Sequence, residues 1–245
     1  MIQLCEKYLK YKPGMYFNLY FDTKKRPYTP VEYTEAKEGE IGDSMTFLIK
    51  RVENGEVSPL ICDKYFVNQT VFVKGPFGMK YYDPTPDVRS FICDTVKINA
   101  KHILMCSCGS GITPFYSMGV AWYNDIIADI PDTHTHIQQH GQAQSQRHEL
   151  HYLSSYKTRE DAVLRHPACF TSTKASVEER LFISDENTKL TPVNLIEYII
   201  NLIENPDDKN TPEDIVVFIC GTPMYSQMVK DACAIIDSKL KWYEW

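Results

Sequence analysis

Ile103-Leu104-Met105-Cys106-Ser107-Cys108-Gly109-Ser110-Gly111-Ile112-Thr113-Pro114 is the stretch that decides the fold of this chain. Its first four residues are apolar and read as a buried strand, and the glycines at 109 and 111 read as a tight turn. The apolar-periodic stretch that follows, Phe115 to Ile130, has helical length. Strand, Gly-rich turn and helix in that order form the context in which backbone N–H groups receive the phosphates of a dinucleotide. The alternation continues toward the C-terminus. Strands are expected near Leu150-His151-Tyr152-Leu153, near Ala168-Cys169-Phe170 and at Ile215-Val216-Val217-Phe218-Ile219, with a helix from Pro192 to Glu204. Strands alternating with helices imply a parallel sheet with crossover helices.

The residues before this region have a different texture. Met15-Tyr16-Phe17-Asn18-Leu19-Tyr20-Phe21, Met45-Thr46-Phe47-Leu48-Ile49-Lys50 and Thr70-Val71-Phe72-Val73-Lys74 are short runs of strand composition, punctuated by Pro13-Gly14, Glu38-Gly39 and Gly75-Pro76 as turns. Short strands with turn signals predict an antiparallel β-barrel. The fold expected is therefore an antiparallel β-barrel over residues 1–98 followed by an α/β domain with a parallel sheet over residues 99–245. A His/Gln-rich insertion loop falls at about 132–148.

Composition narrows the function. Hydrophobic residues make up 43% of the 245 and charged residues 24%, which supplies a core of ordinary size. A net charge of -6 argues against nucleic acid as a partner, because phosphate binding draws on a basic excess. No apolar run approaches the ~20 residues of a transmembrane segment, and Met1-Ile2-Gln3-Leu4 begins no signal peptide, so a cytoplasmic location is expected. The 8 cysteines are irregularly spaced and read as reduced thiols, Cys5, Cys62, Cys93, Cys169 and Cys233 in apolar or mixed surroundings. Cys106 and Cys108 are expected on opposite sides of a strand end, and His134, His136 and His140 on a solvated loop. No metal site is expected from these spacings.

Three short motifs occur in one order: Arg26-Pro27-Tyr28-Thr29, then Gly109-Ser110-Gly111-Ile112-Thr113-Pro114, then Cys220-Gly221-Thr222-Pro223. Each is weak alone. Together the chain resembles the ferredoxin-reductase-like flavoenzymes, above all NADH–cytochrome-b5 reductase and the FAD/NAD module of nitrate reductase. The resemblance implies FAD as cofactor, NAD(P)H as electron donor and a haem protein such as cytochrome b5 as acceptor. It implies that Arg26 pairs with the flavin pyrophosphate, that Tyr28, after Pro27, packs on the isoalloxazine, and that the Thr29 hydroxyl bonds near N5.

Gly55-Glu56-Val57-Ser58-Pro59-Leu60 matches a segment that leads into a short helix under the pyrophosphate, where Ser58 suits the N-cap and Pro59 the first helical position. In the nucleotide domain the resemblance implies that Gly109 and Gly111 face the cofactor phosphates, that Thr113, before Pro114, touches the flavin, and that Cys220, ahead of Gly221 and Pro223, borders the nicotinamide. Tyr152 to Asp161 looks like the second strand and turn, with its acidic end opening the next helix. Trp245 is either a terminal aromatic stacked on the flavin or a packed edge residue.

Two departures stand out. Relatives carry a longer segment before the Pro-Gly element, so the barrel is expected to lack its first strand, with FAD retention or a flavin-less binding relative as the alternatives. And Phe170-Thr171-Ser172-Thr173-Lys174 has no carboxylate where NADH-preferring relatives place one, so Ser172 and Lys174 are expected to tolerate a 2′-phosphate. Lysines at 7, 10, 12, 24 and 25 read either as a face for an acidic haem protein or as a solvated surface.

Overall fold

A computed structural model describes residues 2–3, 11–21, 23–32, 44–64, 70–128, 148–164 and 176–245. The chain divides into two compact units, residues 1–96 with 113–121, and residues 97–112 with 122–245.

The first unit is antiparallel β. Strand β1 (Ile2–Gln3) comes first, then β2 (Tyr16–Phe21), β3 (Lys24–Tyr28), β4 (Ser44–Met45), β5 (Phe72–Phe77), β6 (Lys80–Asp83), β7 (Ser90–Cys93) and β8 (Val96–Lys97). Among the described residues they form three sheets, β1–β4, β3–β2–β5 and β6–β7–β8, which do not close into one barrel. In β2 the residues alternate strictly: Phe17, Leu19 and Phe21 are buried and the three between them are not, the period-2 pattern of a sheet with one face in the core. Leu19, Phe21 and Val57 make a small core joined by Tyr28, Phe47 and Ile49.

Two expectations need correction here. The run 45–50 is not a full strand: pairing stops at Met45, apart from one bridge between Pro30 and Phe47. Phe47 and Ile49 are apolar because they pack on the small core, not because they extend a ladder. Gly75-Pro76 is not a turn either, since it lies inside β5, and the chain reverses only after Phe77. The turn at Pro13-Gly14 is present, with Gly14 at φ 98, a conformation that favours glycine. The expected turn at Glu38-Gly39 lies outside the described residues.

The second unit contains β9 (His102–Cys108), β10 (Glu149–Tyr156), β11 (Val177–Ile183), β12 (Ile215–Cys220) and β13 (Lys241–Glu244) in one parallel sheet of order β11–β10–β9–β12–β13. Helix α1 (Ile112–Ala128) follows β9, α2 (Pro192–Ile203) precedes β12, and α3 (Pro223–Ile236) joins β12 to β13. Central strands buried on both faces need continuous apolar runs, and β12 from Ile215 to Ile219 is buried throughout. Leu104, Cys106, Val217 and Ile219 on one sheet face pack with Leu195 and Ile199 of α2 and with Val229 and Ala232 of α3.

The start of α2 follows from three residues. Thr191 Oγ1 accepts from the Asn194 backbone N–H at 3.3 Å, Asn194 Oδ1 accepts from the Thr191 N–H at 2.7 Å, and Pro192 takes the first helical position.

The strand expected at 168–170 lies outside the described residues, and the neighbour of β10 is β11, paired in register from Leu150↔Val177 to Tyr156↔Ile183. The acidic end Glu160-Asp161 opens no helix through Leu164. Arg159 starts a tight turn instead, closed by Ala162 N–H to Arg159 O, and its guanidinium grips Glu186 with Nε at 2.7 Å from Oε1. Cys106 and Cys108 do not face opposite sides, because residues two apart in a strand share a face. Both act on the half-buried Tyr225 of α3, whose phenol pKa is pushed up first by burial and further by the two thiols.

Candidate functional site

In an open parallel sheet a ligand crevice forms outside the carboxyl ends of the strands, where neighbouring crossovers run in opposite directions. Here β10 and β11 lie on one side of β9, and β12 and β13 on the other, so the reversal falls between β9 and β12. Two of the three motifs sit at that point. Gly109–Gly111 forms a single 3-10 turn directly after β9 and feeds α1, and Cys220-Gly221-Thr222-Pro223 leads from β12 into α3.

The fit of these two turns is tight. A Cβ on Gly111 would stand 2.1 Å from the Cys220 carbonyl oxygen and 2.7 Å from its carbon, so the two connections touch backbone to backbone. Gly109 has φ 58, the left-handed region, and a Cβ there would meet nothing within 4 Å. One glycine permits close packing and the other permits the turn, leaving open space above it. Thr222 caps α3, its Oγ1 accepting from the Tyr225 N–H at 3.3 Å, with Pro223 at the first helical position. Pro223 and Gly221 are exposed, while Thr113 and Pro114, in the first turn of α1, are buried. Cys220 is half-buried, and burial, then Glu244 and Cys108, push its thiol up to about 12, so it remains protonated. Trp245 packs on Phe218 with ring centroids 5.0 Å apart, and its backbone N–H donates to Ile219 O at 2.9 Å. Ser172 and Lys174 lie outside the described residues, as do His134, His136 and His140.

The Arg26-Pro27-Tyr28-Thr29 motif closes β3 in the first unit. Arg26 is exposed, its Nη2 3.3 Å from Glu56 Oε2, and Lys24 Nζ lies 3.3 Å from the other oxygen of the same carboxylate. A cation pair thus holds one exposed carboxylate. Tyr28 is half-buried beside the small core, and burial raises its phenol pKa while Arg26 lowers it. Thr29 and Val57 are buried.

Ser58 is not an N-cap. The helical turn begins at Ser58 itself, with Ile61 N–H donating to Val57 O, and the Ser58 hydroxyl turns back to accept from the Val52 N–H at 2.9 Å. Gly55 N–H also donates to Val52 O, and Arg51 clamps Asp63 with Nε at 2.9 Å and Nη2 at 2.8 Å. These bonds close residues 51–63 into one turn next to Arg26. Sequence reasoning missed Glu56, Arg51 and Asp63. The last two were findable only as an Arg and an Asp bracketing a Gly-Ser-Pro turn. Of the lysines read as a docking face, Lys12 is bonded to Asp83 at 2.6 Å and Lys24 to Glu56.

The profile of the oxidoreductase FAD-binding domain family matches residues 2–82. No curated protein matches the sequence. Among solved structures, the chain is similar to the cytochrome b5 reductase domain of Ulva prolifera nitrate reductase, at 18% identity and a TM-score of 0.61, covering 96% of this chain and 85% of that one. It is similar to a ferredoxin NADP+ reductase from Neisseria gonorrhoeae with bound FAD and NADP, at 17% identity and a TM-score of 0.56, covering 96% of this chain and 87% of that one. It is also similar to the FAD/NAD-binding domain of a nitric oxide dioxygenase from Vibrio cholerae, at 16% identity and a TM-score of 0.61, covering 98% of this chain and 87% of that one. Among the described residues no helix is long and apolar enough to cross a membrane. Residues 2–82 therefore match the oxidoreductase FAD-binding domain family, and the chain as a whole shares its fold with these solved structures.

Proposed function

We propose that this chain is an FAD-dependent oxidoreductase that takes a hydride from NAD(P)H and passes electrons singly to a haem protein of the cytochrome b5 kind, in the cytoplasm. In this reading residues 1–98 are the FAD-binding domain and residues 99–245 the NAD(P)-binding domain. The observation that carries it is the pairing, in one chain, of an FAD-binding signature on residues 2–82 with two Gly-containing turns at the reversal point of a parallel sheet. A second reading, the reductase module of a larger electron-transfer protein, is favoured by the likeness to a domain of nitrate reductase.

FAD, when bound, accepts a hydride as a two-electron unit and releases electrons one at a time. The chain's own residues then have separate tasks. Arg26 exchanges Glu56 for the pyrophosphate, Tyr28 offers a flat apolar face, and the Thr29 hydroxyl bonds the ring. Gly55, Val57 and Ser58 shape the turn beside Arg26. Gly109, Gly111 and the starts of α1 and α3 receive the nucleotide at the positive ends of the two helices. Cys220 is held as a neutral thiol, which aligns the nicotinamide without adding a base that draws protons. Trp245 is assigned the stacking role at the C-terminus.

Purified protein reconstituted with FAD is expected to be yellow, and Arg26→Ala to bind FAD about ten- to a hundredfold more weakly, the ~1.5–3 kcal/mol of a charged hydrogen bond. Protein that shows no flavin absorbance after reconstitution would instead be a flavin-less binding relative. Nucleotide preference is a separate expectation, resting on the missing carboxylate around Ser172 and Lys174. NADPH is expected to be used at least comparably to NADH, measured as kcat/KM for each with an artificial acceptor. A preference for NADH beyond about a hundredfold, roughly 2.7 kcal/mol, would place the discriminating residue elsewhere.

A further inference from the structure

Far from the hydride end of the sheet, two buried histidines meet. His102 opens β9, and in the parallel register it stands opposite Glu149, while His151 lies two residues further along β10 on the same face. His102 Nδ1 is 3.1 Å from His151 Nε2 and 3.5 Å from Glu149 Oε2. One donor atom from each of the three residues lies within 4.8 Å of the others. Six residue steps along β9 put this group about 20 Å from Cys108 at the other end of the strand.

The surrounding bonds fix where the protons go. The Tyr198 hydroxyl of α2 donates to Glu178 Oε2 at 2.9 Å. Its proton is committed there, because the Glu178 carboxylate, held at its other oxygen by Arg180 Nε at 2.7 Å, only accepts. The Tyr198 oxygen, 2.7 Å from His151 Nδ1, must then accept from an Nδ1–H. With that proton on Nδ1, His151 presents the lone pair of Nε2 to His102.

His102 now has two arrangements as a neutral ring, and each leaves a defect. A proton on Nδ1 satisfies His151 but leaves Nε2 a buried bare acceptor with no hydrogen bond, facing Asp208 Oδ2 at 3.7 Å. A proton on Nε2 points correctly at that carboxylate, but then two lone pairs confront each other across 3.1 Å. A doubly protonated ring would serve both sides. Burial of the ring opposes that second proton, since a charge taken out of water is costly.

We propose that His102 Nδ1, His151 Nε2 and Glu149 bind a divalent transition-metal ion of the zinc class. At a metal–ligand length of about 2.05 Å, a 3.1 Å nitrogen pair subtends about 100° and a 3.5 Å nitrogen–oxygen pair about 115°. Both bracket the tetrahedral angle, and the fourth position is left to water. Two imidazoles and one carboxylate match the ligand softness that zinc accepts. The outer partners also match. Each ligating histidine turns its second nitrogen toward an oxygen, His151 toward Tyr198 backed by Glu178, and His102 toward Asp208, the arrangement that orients metal-bound imidazoles. Glu149 and Asp208 are about one-third exposed, so an ion has a route in from solvent. An ion here ties β9, β10 and α2 together at the edge away from the proposed chemistry.

The test uses the full-length chain, stripped with chelator and titrated with Zn2+ against a chromophoric indicator and with Co2+ by visible spectroscopy. The background carries His134→Ala, His136→Ala and His140→Ala, which removes these three histidines as competitors. The expected result is one equivalent of Zn2+ and the intense visible bands of four-coordinate Co2+. His151→Gln abolishes both, Glu149→Gln weakens binding at least tenfold, and Tyr198→Phe weakens it by about tenfold, the cost of losing an outer partner. If His151→Gln fails to fold by circular dichroism, Glu149→Gln on the half-open rim decides. Absence of a stoichiometric ion in this background, or binding that Glu149→Gln leaves unchanged, overturns the proposal.

Discussion

Gly111→Ala is expected to cost at least about 3 kcal/mol of folding stability, at the upper end of what overpacking a tight site does. The added Cβ would sit 2.1 Å from the carbonyl oxygen of Cys220, less than any real contact allows. The obstacle is backbone, so no rotamer change relieves it. That backbone ends β12, which is paired to β9 on one side and to β13 on the other, so moving it breaks two ladders. For a chain of this length the loss corresponds to a Tm lower by roughly 6–12 °C. Gly109→Ala is the natural control. It meets nothing within 4 Å, and its φ of 58 costs only the left-handed penalty of about 1–2 kcal/mol. Thermal unfolding of both variants should rank Gly111→Ala as the more damaging. The opposite order would mean that the two connections do not touch as described.

Cys220→Ser is expected to slow flavin reduction by NAD(P)H about a hundredfold, or roughly 2.7 kcal/mol, with FAD content unchanged. The residue lies at the reversal point of the sheet, beside the Gly109–Gly111 turn, as a thiol pushed up to about 12. Its value in the proposed reaction is shape and polarisability. A serine keeps the neutral state, but its shorter bond and smaller radius loosen the alignment of a hydride donor. Because a Cβ on Gly111 would meet the Cys220 carbonyl oxygen at 2.1 Å and the sulfur only at 3.3 Å, the substitution leaves the tight backbone contact intact. Stopped-flow reduction at the wild-type rate would show Cys220 to be a packing residue only. The two variants thus separate the backbone role of position 220 from its side-chain role.

How legible a feature was in the sequence depended on how local its cause is. β9, the Gly-rich turn, α1, α2 and β12 were readable within about three residues, because each is specified by its own apolar period, a proline near its start or a pair of glycines. The switch from alternating short strands to strand–helix alternation likewise marked two architectures in one chain. What failed was non-local. Residues 45–50 have strand composition, yet only Ser44 and Met45 pair as a strand, since a ladder needs a partner and composition supplies none. β13 was missed because Lys241-Trp242-Tyr243-Glu244 has no pattern of its own and becomes a strand by pairing with β12 from Val216↔Lys241 onward. Ser58 looked like a cap, but its hydroxyl is claimed by the Val52 N–H across a turn.

The candidate sites divide the same way. The sequence alone determined that glycines follow β9 and β12 and that Arg26 precedes Tyr28 and Thr29, because covalent order carries those facts. Only the tertiary structure decided that Gly111 lies against Cys220, that Glu56 occupies Arg26, and that His102, Glu149 and His151 converge. His102 and Glu149 are 47 positions apart in the chain, and a parallel register brings them opposite each other through a crossover whose length the strands themselves do not encode. Side-chain chemistry is written in the sequence, but the distances at which it acts are set by which strands pair and in what register.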